Sequence, residues 1–208
     1  MSEKDIKRKV IRITMLGDSK VGKSSIINTY SNIEFQAGIL PTIGNARYEK
    51  RVELGNDKTM KLIIYDAAGK ERYISIATSS LKYSQGIIIV FDLTNRQSFE
   101  NIKFWYKKLS ENNCHDIPIV LFGNKCDMKD EIMVTKKEID NFLSENSNLA
   151  YFETSAKDNI NIEKGFDLIT KDIFKNYEKT QELELEKKEI IEKHEKHEKM
   201  KKKKFLIF

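Results

Sequence analysis

Short apolar runs alternate with stretches in which apolar residues recur every third or fourth position, from the start of the chain to about residue 177. The first pattern predicts strands and the second amphipathic helices. Val10–Leu16 reads as a first strand. A Gly-rich turn then opens a helix over about 22–30, with Ile26, Ile27 and Tyr30 on its apolar side. Residues 47–54 alternate, residues 60–65 return, and Gly55-Asn56-Asp57 between them marks a turn, so this pair predicts a hairpin. A short helix near 73–82 and a strand over 86–91 follow. Phe99, Ile102, Trp105 and Leu109 give residues 98–109 a helical period, and 117–122 reads as the next strand. Residues 135–146 form a helix that begins with a capping box, Thr135 with Glu138. A last strand lies at 150–152. A last helix spans 162–177, with Ile162, Phe166, Ile169 and Phe174 facing inward.

Strands separated by helices predict an α/β fold: a mostly parallel sheet covered on both faces, in three layers. The hairpin adds one antiparallel strand, for six strands and about five helices. Ligands in such sheets sit outside the carboxyl ends of the strands, so the loops there are the places to search for chemistry.

Composition narrows the picture. Basic residues number 37 and acidic ones 32, a net charge of +5 that is too balanced for a polycationic nucleic-acid binder. Two cysteines, Cys114 and Cys126, cannot build a disulfide framework or a four-cysteine metal site, and a reducing compartment is expected. The polar start MSEKDIKRK has no apolar signal core, and no window reaches the roughly 20 apolar residues of a spanning helix. The expectation is a cytoplasmic protein, with peripheral membrane contact as its one route to a bilayer. Residues 1–8 read as an extension, 9–177 as the folded domain and 178–208 as a charged tail, helical or disordered. The tail is rich in Glu and Lys and ends KKKKFLIF, a basic–apolar end suited to transient contact with an anionic membrane. His194 and His197 in it are too few for a metal site.

The loop after the first strand is the sharpest signal. Gly17-Asp18-Ser19-Lys20-Val21-Gly22-Lys23-Ser24 fits G-x-x-x-x-G-K-[ST], between a predicted strand and a predicted helix. Glycines let the backbone wrap a phosphate, and consecutive N–H groups at a helix start attract the anion. Lys23 is placed to reach the β and γ phosphates, and Ser24 offers a hydroxyl to Mg²⁺. Lys20 reads as a solvent-facing loop residue, with added positive charge beside the phosphates as the alternative. Asp66 ends an apolar strand, as a Mg²⁺ ligand or its outer partner does in P-loop proteins, and Gly69 is positioned to offer its N–H to a γ-phosphate. The fold class is thus a P-loop NTPase sandwich.

Further motifs resemble the Ras superfamily of small GTP-binding proteins, and its Rab branch most. Asp66-Ala67-Ala68-Gly69-Lys70-Glu71 resembles D-T-A-G-Q-E, and Asn124-Lys125-Cys126-Asp127 matches N-K-x-D. Glu153-Thr154-Ser155-Ala156-Lys157 matches E-T-S-A-K, and Pro41-Thr42-Ile43-Gly44 is similar to the first switch. Gln85 to Ile88 and Phe91 to Thr94 read like a Rab fourth strand.

The resemblance implies a GTP/GDP site with Mg²⁺. Residues Asp18, Ser19, Lys20, Val21, Gly22, Lys23, Ser24 and Ser25 would surround the phosphates. Ser24, Thr42 and Asp66 would serve the metal. Asn124 and Asp127 would face guanine, whose N1 and N2 donors a carboxylate can accept as a pair, while adenine lacks that pair. The aliphatic stem of Lys125 would lie along the base. Ser155, Ala156 and Lys157 would close the other side, with the Ala156 N–H offered to the guanine O6. Phe35 stands where the family packs an aromatic on the base, with a plain core role as the alternative. Thr42, Gly69, Lys23 and Lys70 would form the hydrolytic group. Loss of the γ-phosphate would release two segments, about 35–46 and 69–82, which makes the protein a switch. Implied partners are an exchange factor, an activating protein and an effector.

The departures matter as much. Lys70 stands where the family has Gln, and an ammonium donates but cannot accept a hydrogen bond from the attacking water. Slow GTP hydrolysis and a poor response to activating proteins are expected. The alternative function is a non-cycling pseudo-GTPase scaffold that holds nucleotide. The Rab effector platform of three aromatics corresponds by gapless matching to Arg47, Tyr65 and Ser80, so usual effectors should bind badly. No C-a-a-X or C-C appears at the end given, so prenyl anchoring is not expected.

Overall fold

The computed structural model describes residues 10–36, 42, 45–53, 59–69, 78–114, 116–146 and 149–205. The chain divides between Ile173 and Phe174. In the first unit six strands form one sheet in the order β2-β3-β1-β4-β5-β6. They are β1 (Val10–Leu16), β2 (Asn45–Glu53), β3 (Thr59–Ala67), β4 (Gly86–Asp92), β5 (Ile119–Asn124) and β6 (Ala150–Thr154). Only β2 runs antiparallel, against β3, as the hairpin pattern predicts; the other pairings are parallel. The helices are α1 (Lys23–Tyr30), α2 (Arg96–Glu100), α3 (Ile102–Glu111), α4 (Lys136–Glu145) and α5 (Ile162–Phe205).

Burial explains why these runs become strands. Every residue of β4, GIIIVFD, is buried, the signature of a strand covered on both faces. Ile87, Ile89 and Phe91 pack with Ile102, Trp105 and Leu109 of α3 and with Ile139 of α4. Alternation turns Ile88 and Val90 to the opposite face. There Tyr30 of α1 stacks on Phe166 of α5 with ring centroids 3.9 Å apart, and Phe122 of β5 meets Phe166 edge-on at 6.1 Å. Each such fully buried side chain contributes about 1.5–3 kcal/mol.

Several boundaries differ from the sequence pattern for identifiable reasons. β5 starts at Ile119 rather than 117, because Pro118 has no N–H to give the ladder, although its carbonyl accepts from the Ile87 N–H at 2.9 Å. The predicted helix over 98–109 is two helices. Asn95 opens α2 by accepting from the Ser98 N–H, and Asn101, with ψ −7, separates α2 from α3. On the last helix Ile173 ends the buried series where the sequence pattern put Phe174. The capping box at Thr135 and Glu138 is present. The hairpin turn at 54–58 and residues 73–77 of the predicted 73–82 helix lie outside the described residues. Of that helix, Thr78 and Ser79 are helical, and Leu81–Tyr83 forms a 3₁₀ turn.

The strands also run past their apolar cores, and this positions the site. Asp66 pairs with Met15, Asp92 with Asn124, and Asn124 with Thr154, so polar residues share the carboxyl edge of the sheet. In the second unit the residues from Phe174 to Phe205 are helical. Among the described residues no helix is long and apolar enough to cross a membrane.

Candidate functional site

The turn between β1 and α1 wraps around the ammonium of its own lysine. Lys23 Nζ donates to the carbonyls of Gly17 at 2.8 Å and Asp18 at 2.7 Å. Lys23 is 6% exposed, and its burial lowers the ammonium pKa to about 8 against the opposing pull of Asp66 and Asp18. Gly22, with φ +99, caps α1 in the left-handed region. A Cβ there would stand 2.2 Å from Asn124 Nδ2, so glycine is required both by conformation and by space. A Cβ on Gly69 would stand 2.3 Å from the Asp18 carbonyl carbon, which shows how closely the loop after β3 lies against this turn.

Beside it, three oxygens gather. Ser24 Oγ donates to Asp66 Oδ2 at 2.5 Å, Thr42 Oγ1 donates to the same oxygen at 3.0 Å, and the two hydroxyls are 3.0 Å apart. Asp66 is fully buried, yet its Oδ1 has no hydrogen-bond partner among the described residues. An ionised carboxylate oxygen without a donor is costly to bury. Hard oxygen donors and an unsatisfied anionic oxygen fit a hard divalent cation such as Mg²⁺. No cluster of three or more His, Cys, Asp or Glu suited to a metal occurs among the described residues.

The other end of the site is braced by side chains. Asn124, 2% exposed, donates from Nδ2 to the Val21 carbonyl at 2.9 Å. Its Oδ1 accepts from Thr154 Oγ1 and from the Ala156 N–H, both at 3.3 Å. The side chain thus ties the phosphate-type loop to the loops after β5 and β6. Here the Ala156 N–H, expected to meet a base, is engaged by Asn124. Asp127 Oδ1 accepts from Ser155 Oγ at 2.7 Å. Lys125, with φ +68, extends its ammonium to Asp92 Oδ2 at 2.5 Å, leaving its aliphatic stem along the wall. Asp92 in turn accepts from the Thr94 N–H and hydroxyl through Oδ1.

A cavity of about 640 Å³ joins the two ends. Ser19, Lys20, Gly22, Lys23, Ser24 and Ser25 line one part of it, with Thr42 and Gly69. Asn124, Lys125, Asp127, Ala156 and Lys157 line the rest, and Phe35 stands at its wall 37% exposed. The remaining candidates stand behind the wall. Asp18 turns its carboxylate away, accepting from Asn101 Nδ2 at 2.6 Å and Trp105 Nε1 at 2.8 Å. Val21 receives Asn124, Asp66 backs the hydroxyl pair, and Ser155 is buried against Asp127. Lys70 lies outside the described residues, as do Pro41, Ile43 and Gly44.

Sequence reasoning missed Asp92, Met128 and Gln36. Met128 and Gln36 line the cavity without any motif to mark them. Asp92 had a usable signal, a carboxylate closing a wholly apolar strand. Cys126 is half-buried, and burial, with Asp127 and Glu153, pushes its thiol pKa up, which disfavours a reactive thiolate. On the hairpin Arg47 lies opposite Tyr65 and pairs with Glu49 at 2.6 Å, which also takes Lys61. Ser80 corrects the sequence reading of this patch. It is 6% exposed and accepts from Thr14 Oγ1 at 3.1 Å, so it belongs to the interior rather than to an exposed platform.

The family model described as Ras family matches residues 12–175. Three curated relatives align over 164 residues, 79% of this chain. Ras-related protein Rab-10 of Diplobatis ommata is 41% identical over 81% of its own length. Ras-related protein Rab-8A of Gallus gallus is 37% identical over 78%, and Ras-related protein Rab-13 of Mesocricetus auratus 36% over 80%.

Proposed function

The chain belongs to the Ras family and is similar to Rab proteins, and from that premise we propose that it is a guanine-nucleotide-dependent switch that hydrolyses GTP slowly. The observation that carries the reading is one continuous cavity with a phosphate-type loop at one end and the Asn124, Asp127 and Ala156 loops at the other. The loop N–H groups and Lys23 bind the phosphates. Asp127, oriented by Ser155, accepts from the base, and Asn124 fixes the distance between the two ends. Lys125 and Phe35 enclose the base. Ser24 and Thr42, held by Asp66, would hold Mg²⁺, which neutralises phosphate charge when bound. Thr42 and Gly69 sense the γ-phosphate and so couple nucleotide state to the segments around them.

Kinship with Rab proteins supports a role in vesicle traffic, with an exchange factor, an activating protein and an effector as partners. The exposed Arg47, opposite a half-buried Tyr65, supports an effector different from those that need an aromatic platform. The basic tail supports transient contact with anionic membranes.

Lys70 sets the rate. It lacks the acceptor that orients an attacking water, so hydrolysis should be slow and should rise in Lys70→Gln. Single-turnover hydrolysis by the full chain, with bound nucleotide identified at each time, tests this. A slow conversion of GTP to GDP that accelerates at least about tenfold in Lys70→Gln is expected. Equal rates in the two proteins contradict the role of Lys70. Bound GTP that never turns over in either protein favours the non-cycling scaffold.

A further inference from the structure

We propose that Lys20 is a second phosphate-binding cation, a side chain at the cavity wall that grips the nucleotide's polyphosphate alongside the motif lysine. The proposal rests on the guanine-nucleotide reading above and concerns a position that G-x-x-x-x-G-K-[ST] leaves open.

The backbone gives the first argument. Lys20 has φ +69, the left-handed region that long side chains seldom enter. The turn holds it there because the Gly17 and Asp18 carbonyls converge on Lys23 Nζ. Lys20 therefore sits on a fixed bend of an anion-wrapping loop, and it is both exposed and part of the cavity wall.

Charge gives the second. Lys23 is buried and committed to two carbonyls, and Lys125 is tied to Asp92. Lys20 has no ion pair or hydrogen bond among the described residues. The carboxylate nearest to it in sequence, Asp18, is diverted, with both oxygens occupied by Asn101 and Trp105. Among the described residues this leaves an unneutralised ammonium at the phosphate end of the cavity. A flexible, compact point charge suits a polyphosphate, and its attraction grows with the number of negative charges the ligand carries.

The test measures Kd for GMP, GDP and a non-hydrolysable GTP analogue, each with Mg²⁺, on the full chain. The wild type, Lys20→Gln and Lys20→Arg are compared at low and high ionic strength. Gln keeps a long side chain on the same bend and removes only the charge. Lys20→Gln is expected to weaken the triphosphate about 5- to 10-fold, GDP about 3-fold and GMP less than about 2-fold. Lys20→Arg should restore the graded pattern, and the gap between wild type and Gln should narrow in high salt. An equal loss for all three ligands, or no loss, overturns the proposal while leaving the guanine site standing. A wild-type chain that binds none of the three overturns the guanine-nucleotide reading, and this proposal with it.

Discussion

The two ends of the cavity are built in different ways. The phosphate end is made of backbone. Its shape comes from left-handed turns at Lys20 and Gly22, from carbonyls drawn onto Lys23, and from the tight approach of Gly69. The base end is made of side chains on strand ends, braced pairwise as Asn124 with Val21, Asp127 with Ser155 and Lys125 with Asp92. Backbone N–H groups recognise any phosphate, whereas a positioned carboxylate recognises one pattern of donors. On the function proposed above, affinity and base selectivity are separable, and Gly22 with Asn124 is the joint between the two ends.

The sharpest way to break the comparison is at that joint. Gly22→Ala would put a methyl 2.2 Å from Asn124 Nδ2 on a backbone with φ +99. It should lower stability by about 3 kcal/mol and abolish both affinity and selectivity. Thermal unfolding and nucleotide binding check it together. Asp127→Ala should separate the ends. The preference for GDP over ADP should fall at least about 100-fold as two charge-assisted hydrogen bonds are lost, while Mg²⁺-dependent ADP binding persists. Competition titrations read this directly.

Ser24→Ala tests the oxygen cluster. Removing one hydroxyl from beside Asp66 should reduce apparent Mg²⁺ affinity in the nucleotide complex by about 10-fold or more, measured by Mg²⁺ titration of bound nucleotide. Trp105→Phe should act only on the phosphate end. It removes one donor to Asp18 Oδ1, at a cost of about 1 kcal/mol in triphosphate binding, with the GDP-to-ADP ratio unchanged.

The smallest effect should come from a region that belongs to neither end. Glu138 accepts from Arg96 and from Thr135, and these bonds hold its carboxyl pKa at about 2, below the ordinary 4.5. Because the folded value is the lower one, its stabilising contribution is complete above about pH 4.5 and is lost as the pH falls through about 2. The Glu138 side chain is 32% accessible and its partner Arg96 48%, so solvent screens the pair and the effect is small. Acid unfolding of Glu138→Gln should run slightly below wild type at pH 6 and converge with it near pH 2.

Much of this architecture was legible in the sequence. The unbroken apolar run of β4, the alternation that made the hairpin and the Thr135 capping box each follow from local chemistry that burial reinforces. The phosphate loop was legible because its spacing is the geometry. What escaped depends on contacts far apart in sequence. Asn101 interrupts a helix and bonds to Asp18, 83 positions away, which no periodicity encodes. Ser80 looks like a surface position by gapless matching but is buried against Thr14, 66 positions away. Asp92 holds Lys125 from the neighbouring strand end, and its role appears only once parallel pairing sets it beside Asn124.

The most direct test is a titration of the full chain with GDP and ADP, each with and without Mg²⁺. Tight, metal-dependent binding of GDP at one site per chain, with ADP at least about 1,000-fold weaker, is the expected result. Equal affinity for the two nucleotides, or binding of neither, would contradict the account.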